Sequence, residues 1–344
     1  MKGNKYGTHR VIEPKGVLPQ PAKKIDNDMK IYDNEILIDV KALNIDSASF
    51  AQIENACNHD IDKIKEMILS IVDEKGKMQN PVTGSGGMLI GTIKEIGKDL
   101  EGKIDLKLGD KIATLVSLSL TPLKIDEITK IIPEIDRVEI KGQAILFESG
   151  IYAILPDDMP ENLALAALDV AGAPAQTAKL VKPGDSVVVL GAAGKSGMMC
   201  CYEAKKRVGP TGNVIGVDMS QEAVDNLVEL GFCHKGIAGS AVMPIEILDK
   251  VLAANDGQEV DVVINVVNVE NTEMTSILPV RDGGIVYFFS MATSFTKAAL
   301  GAEGVGKDVT MIVGNGYTKG HAAITLEELR ESKALRDIFE QKYI

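Results

Sequence analysis

Apolar residues follow two different patterns along the chain. Up to about residue 155 they mostly alternate. In Ile36–Ala42, residues Ile36, Ile38, Val40 and Ala42 point one way and Asp39 and Lys41 the other. That alternation predicts a strand with one wet face. Met88–Ile96 and Ile112–Leu118 are further strand candidates, the second entered through the turn Leu108-Gly109-Asp110-Lys111. Between the first two strands, Ile61, Ile64, Ile68 and Ile71/Val72 recur at spacings of three and four. Asp60, Asp62, Lys63, Lys65 and Glu66 lie among them, so the segment reads as a helix that stops at Gly76. Lys124–Ile135 is expected to be another short helix, ended near Pro133.

From residue 156 onward, short apolar runs alternate with helical spacing. Ser186–Leu190 is continuously apolar after its first residue, as expected of a parallel strand covered on both faces. A helix over Ser196–Val208, a strand over Asn213–Val217 and a helix over Gln221–Leu230 follow. Pro244–Ala254 reads as a helix with proline in its first turn. Val260–Val267, Gly284–Ser290 and Val309–Val313 complete the strands, and Leu326–Phe339 is a charged helix. Strand–helix–strand repetition with short loops implies a parallel sheet with right-handed crossovers.

The chain has 344 residues, a length that suits two domains. Its balance of 45% hydrophobic and 25% charged residues excludes disorder and a collagen-like fibre. With 37 basic and 49 acidic residues the net charge is −12, which disfavours nucleic acid and anionic membrane as partners. Cys57, Cys200, Cys201 and Cys233 contain no C-x-x-C pair and read as small buried apolar residues of a reduced, cytoplasmic protein. Met1–Arg10 lacks the apolar segment of a secretory signal. The longest uncharged stretch, Met78–Ile93, contains Pro81 and several glycines and is not a spanning helix.

The strongest chemical signal is Val187-Val188-Val189-Leu190-Gly191-Ala192-Ala193-Gly194-Lys195-Ser196-Gly197, between a buried strand and a helix. Glycines there permit a tight turn and close approach of a pyrophosphate to the backbone, while helix-start amides face the phosphates. Gly191, Ala193, Gly194, Lys195, Ser196 and Gly197 are therefore cofactor candidates. Asp218 ends the next strand, about 20 residues on, where a carboxylate binds adenosine ribose hydroxyls and repels a 2′-phosphate. NAD is thus expected over NADP. Val266 and Ser290, at the ends of later strands, are further cofactor candidates.

These features resemble the medium-chain dehydrogenase/reductase family. Pro160–Phe232 is similar to its cofactor half. Glu35–Leu118 is similar to its GroES-like half through Val40-Lys41-Ala42-Leu43-Asn44-Ile45-Asp46 and Gly86-Gly87-Met88-Leu89-Ile90-Gly91. The resemblance implies an α/β protein: a GroES-like, mostly-β catalytic domain over residues 1–155 and a Rossmann doubly wound parallel sheet over 156–317. Residues 318–344 are expected to return to the catalytic domain, and the assembly to be a homodimer. Tyr6-Gly7-Thr8-His9-Arg10-Val11-Ile12-Glu13-Pro14 and Ser119-Leu120-Thr121-Pro122-Leu123 resemble a branch of the family that works in anaerobic lysine fermentation. That branch oxidises a small diamino acid with NAD and releases ammonia. A zinc-free quinone or enoyl reductase, and a non-catalytic NAD-binding sensor, remain the alternatives.

Zinc-dependent relatives hold catalytic metal through a thiolate, a histidine and a second thiolate. Those positions fall on Asp46, Gly87 and Asp169 here, with Met88 in place of the acid that follows the histidine. This set does not suit tetrahedral zinc, so no metal is expected. Two carboxylates suit ammonium groups instead, and one could take the proton that must leave before hydride does. Asp46 and Asp169 are the catalytic candidates, with Asp169 expected to be buried between Leu168 and Val170. Their structural alternatives are an Asx turn for Asp46 and a helix cap or a buried hydrogen-bonded acid for Asp169. Arg10 is the candidate for the substrate carboxylate, with a solvated tail arginine as its alternative, and Glu148 is a third acid for substrate binding, with a solvated loop acid as its alternative. His9 is either a proton shuttle or a surface residue.

Overall fold

The computed structural model describes residues 1–314 and 316–343. The chain divides between Asp158 and Met159 into two compact units.

In the first unit, β1 (Val11–Glu13) and β2 (Lys24–Ile25) form an antiparallel ribbon. Then come β3 (Glu35–Asn44), α1 (Ser47–Ala56), α2 (Ile61–Lys75), β4 (Met88–Ile96), β5 (Lys111–Thr114), β6 (Leu123–Ile132), β7 (Arg137–Phe147) and β8 (Tyr152–Ile154). The six longer-range strands make one antiparallel sheet in the order β6-β7-β3-β4-β5-β8, the GroES-like unit. Helix α2 forms as its spacing predicts. Asp60 caps its start through the Asp62 and Lys63 amides, and Gly76 closes it at φ +72°. Its Ile64, Ile68, Ile71 and Val72 join the sheet's apolar core.

Strand β3 sets the geometry of the later site. Ile36, Ile38 and Val40 point into the core, as alternation predicts. A register shift between Val40 and Ala42 then reverses the phase. Beyond it Leu43 and Ile45 take the core face, and Asn44 and Asp46 leave it.

The helix expected over Lys124–Ile135 is instead β6, followed by a 3-10 turn at Pro133–Ile135. Register shifts between Ile125 and Glu127 and between Ile128 and Lys130 explain the misreading. Each bulge inserts a residue, so apolar positions at 123, 125, 128 and 131 imitate helical spacing.

In the second unit the elements are α3 (Glu161–Leu168), α4 (Gly172–Leu180), β9 (Ser186–Leu190), α5 (Lys195–Val208), β10 (Asn213–Asp218), α6 (Gln221–Glu229), β11 (Lys235–Ala238) and α7 (Pro244–Ala254). They continue with β12 (Val260–Asn265), α8 (Glu273–Ile277), β13 (Val280–Phe288), α9 (Phe295–Val305), β14 (Thr310–Val313), α10 (His321–Glu331) and α11 (Lys333–Tyr343). The strands form a parallel sheet in the order β11-β10-β9-β12-β13-β14, the doubly wound Rossmann arrangement. Val187, Val188, Val189 and Leu190 are fully buried, in keeping with their unbroken apolar run.

The C-terminal segment departs from expectation twice. It is two helices, interrupted at Ser332, whose hydroxyl accepts from the Leu335 amide. It also packs within the second unit, α10 on α3, α4 and α5, and α11 on α3 and α5, rather than returning to the first. The reason is apolar burial there of Leu326, Leu329, Leu335 and Phe339, reinforced by Lys206 Nζ 2.7 Å from Glu331 Oε2. Among the described residues no helix is long and apolar enough to cross a membrane.

Candidate active site

The glycine loop joins the C-terminal end of β9 to α5. Gly191 turns at φ +83°, a conformation costly for residues with a Cβ. The Gly191 and Ala192 amides both donate to Val217 O, at 2.9 and 3.0 Å, which fastens the loop to β10. A Cβ on Gly197 would lie 2.0 Å from Gly191 O, so only glycine lets α5 begin this close to the turn. Gly194 caps α5 with no side-chain hydrogen bond, and the first turn of an α-helix carries backbone amides that its own ladder does not use, a setting that suits an anionic group.

Asp218 ends β10, where the sequence places it. Its Oδ2 accepts from Ala193 N at 2.9 Å and its Oδ1 from Met219 N at 2.8 Å, so two backbone amides aim the carboxylate beside the loop. Val266 and Ser290 follow β12 and β13 at the same sheet edge. Val266 N donates to Leu190 O, and Ser290 Oγ accepts from Ala292 N at 3.1 Å. The loop, the carboxylate and these two residues therefore share the C-terminal edge of one parallel sheet, where nucleotides bind in such folds. The arrangement fits a nicotinamide dinucleotide.

Asn265, not singled out from the sequence, organises this edge. It is fully buried at the end of β12 and donates to Thr272 Oγ1 and Ser276 Oγ at 2.8 and 2.9 Å. Its Oδ1 accepts from Val267 N, and its carbonyl accepts from the Phe289 and Ser290 amides. The available signal was an asparagine ending the apolar run that begins at Val260.

Asp169 is a correction. The carboxylate stands 57% exposed after the last turn of α3, with Oδ2 2.6 Å from Lys195 Nζ. Flanking Leu168 and Val170 are buried, but the helical turn carries the residue between them outward. Its geometry is that of a partner positioning Lys195 at the start of α5.

Arg10 is a second correction. It is 1% exposed and spends all five N–H donors within the first unit. Nε and Nη2 grip Glu35 at 2.7 Å each, and the remaining contacts go to the carbonyls of Asp26, Asp28 and Lys30. Burial works against ionisation of Glu35, yet hydrogen bonds from Arg10, His9 and Tyr32 N outweigh it and hold the carboxyl at about 2. His9 is neither shuttle nor surface residue: Nε2 bonds Glu35 Oε1 at 2.8 Å and Nδ1 accepts from Asn4 N. Glu148, expected at the substrate, is an exposed residue after β7 that accepts from Asn34 Nδ2 at 2.8 Å.

Asp46 differs from these. It caps α1, with Oδ1 accepting from Ser49 N at 3.0 Å, a helix N-cap where the structural alternative was an Asx turn. Its Oδ2 is buried and has no hydrogen-bond partner among the described residues, and the same holds for Asn44 Oδ1. Gly87 lies against this segment at φ +89°. A Cβ there would come 2.0 Å from Asn44 O and 2.7 Å from Asp46 N, so a histidine could not stand in its place without backbone movement. Arg137, 6% exposed, lies opposite Asn44 in the β3–β7 register. Ser49 Oγ and Thr83 Oγ1 are 2.5 Å apart nearby. Among the described residues no group of three or more His, Cys, Asp or Glu is placed to hold a metal ion.

Comparison with known proteins identifies the family. A family model described as the L-erythro-3,5-diaminohexanoate dehydrogenase N-terminal domain matches residues 9–156. An L-erythro-3,5-diaminohexanoate dehydrogenase of Acetoanaerobium sticklandii is 74% identical over 344 residues, covering 100% of both chains. One from Fusobacterium nucleatum is 72% identical over 343 residues, covering 100% of this chain and 99% of the relative. Among solved structures, the CurK enoyl reductase shares the fold at a TM-score of 0.53 and 16% identity, over 93% of this chain and 84% of that one. Identity of this level along the whole length settles the classification: the chain belongs to the L-erythro-3,5-diaminohexanoate dehydrogenase family.

Proposed function

We propose that the protein oxidises the C3 amine of L-erythro-3,5-diaminohexanoate with NAD, giving 5-amino-3-oxohexanoate and ammonia. The observation that carries this reading is the identity of 74% to a dehydrogenase of that name over the full length of both chains. It favours an amine dehydrogenase over a quinone or enoyl reductase, since the likeness to an enoyl reductase is one of fold at 16% identity. It equally favours an active enzyme over a sensor.

The nicotinamide cofactor, held by Gly191, Ala193, Gly194, Ser196, Gly197 and Asp218, supplies hydride acceptance when bound. Lys195, steadied by Asp169, adds positive charge at the pyrophosphate end of the loop. Asp218 selects NAD over NADP, because a carboxylate fixed by two amides accepts ribose hydroxyls and repels a phosphate.

On the substrate side, Asp46 Oδ2 receives the ammonium at C3. A charge-assisted hydrogen bond there orients C3. As the ammonium loses a proton before oxidation, the same oxygen is the acceptor within reach. Water then converts the imine to ketone and ammonia. We place the enzyme in the cytoplasm as a homodimer.

NADH formation by the pure protein tests this reading. With 3,5-diaminohexanoate, turnover should be at least a hundredfold faster than with mono-amino acids, alcohols or 3-hydroxy acids, and NAD should serve better than NADP. Silence on the diamine with activity on another class would overturn it.

A further inference from the structure

We propose that Asn44 is the residue that makes this site select an amine over an alcohol, an inference that rests on the function proposed above. Its amide oxygen and Asp46 Oδ2 form a two-acceptor seat for one ammonium.

The seat follows from the phase of the chain. Leu43 and Ile45 lie in the core cluster, at 0% and 2% exposure. In extended backbone, neighbours of core residues face the other way, and Asp46 is extended at φ −61°, ψ 143°. Asn44 and Asp46 therefore project from the same side of one segment. Each keeps a buried oxygen that has no hydrogen-bond partner among the described residues. An unmatched buried acceptor is costly, and two of them two residues apart call for a ligand that brings donors.

The count of donors then sets the specificity. An ammonium carries three N–H bonds and can serve both oxygens at once. A hydroxyl carries one O–H and leaves one oxygen unmatched. A site built to be filled by hydrogen bonds rejects the analogue that lacks them. Arg137, opposite Asn44 in register, gives a reason for a neutral amide here: a carboxylate would be drawn towards the guanidinium instead of the ligand.

The test is N44L, which keeps the bulk and removes the acceptor. KM for 3,5-diaminohexanoate should rise about 10- to 100-fold, the worth of a hydrogen bond to a charged group. The Kd for NAD and the thermal midpoint should stay near wild type. The inhibition constant of 5-amino-3-hydroxyhexanoate, which brings a single O–H to the seat, should change less than about threefold. Equal weakening of diamine and hydroxy analogue would show a merely structural role and overturn the proposal, as would an unchanged KM. Should N44L fail to fold, N44S, whose shorter hydroxyl also vacates the seat, makes the same comparison. Failure of the parent reading looks different: wild-type protein would not oxidise the diamine at all.

Discussion

Two polar clusters of the first unit, one around Arg10 and one around Asp46, look alike in composition and differ in completeness. Around Arg10 every guanidinium donor has an acceptor, and Glu35 receives Arg10, His9 and Tyr32 N. Around Asp46 one carboxylate oxygen is used by the helix cap and the other is left over, together with Asn44 Oδ1. The first cluster is complete without any ligand and pins the N-terminal segment to β3. In the function proposed above, the second is completed by the donors of the substrate. Residue type did not separate the two; hydrogen-bond bookkeeping did.

Breaking the complete cluster should cost stability and little else. R10M strands the buried Glu35 carboxylate, and chemical denaturation should show a loss of about 3–5 kcal/mol, the usual result of removing one partner of a buried pair. KM for the diamine should stay near wild type in the folded fraction. A normal stability with a raised KM would return Arg10 to the substrate.

Glu328 in the second unit sharpens the comparison, because both its oxygens are buried without hydrogen-bond partners among the described residues. Burial, and then the charge of Glu203, push its carboxyl well above the ordinary value, with Lys206 and Arg207 opposing and Glu331 adding to the rise. Here burial favours the neutral, protonated carboxyl, which removes the charge. The folded state holds that proton after the unfolded chain has lost it. The contribution of Glu328 to stability is therefore full below the ordinary glutamate range and is lost as pH rises towards the folded-state value. E328Q removes this term, so its stability relative to wild type should rise with pH above about 4.5, by at most about 1.4 kcal/mol per pH unit. A constant difference across pH 5–8 would show that Glu328 is ionised in the folded protein.

Much of this was legible in the sequence, and the failures have physical causes. The glycine loop and Asp218 were readable because backbone turn chemistry and a strand-end carboxylate are local features. The buried run Val187–Leu190 announced the parallel sheet in the same way. Strand β6 was misread because its bulges break alternation. Asp169 was misplaced because apolar neighbours in sequence do not bury a residue on the outer side of a helical turn. Arg10 was misassigned because its acceptors, the carbonyls of Asp26, Asp28 and Lys30 and the carboxylate of Glu35, are supplied by the folded chain. Asn44 went unnoticed for the converse reason: it stands inside a strand pattern, and only the phase reversal after Val40 turns it away from the core.

The central claim is that the spare oxygen of Asp46 seats the substrate ammonium, and D46N tests it most directly. Asparagine caps a helix as well as aspartate, so the fold should persist. The kcat/KM for 3,5-diaminohexanoate should fall by about a hundredfold or more, with the thermal midpoint and the Kd for NAD unchanged. A kcat/KM within about twofold of wild type in a folded D46N protein would contradict the account.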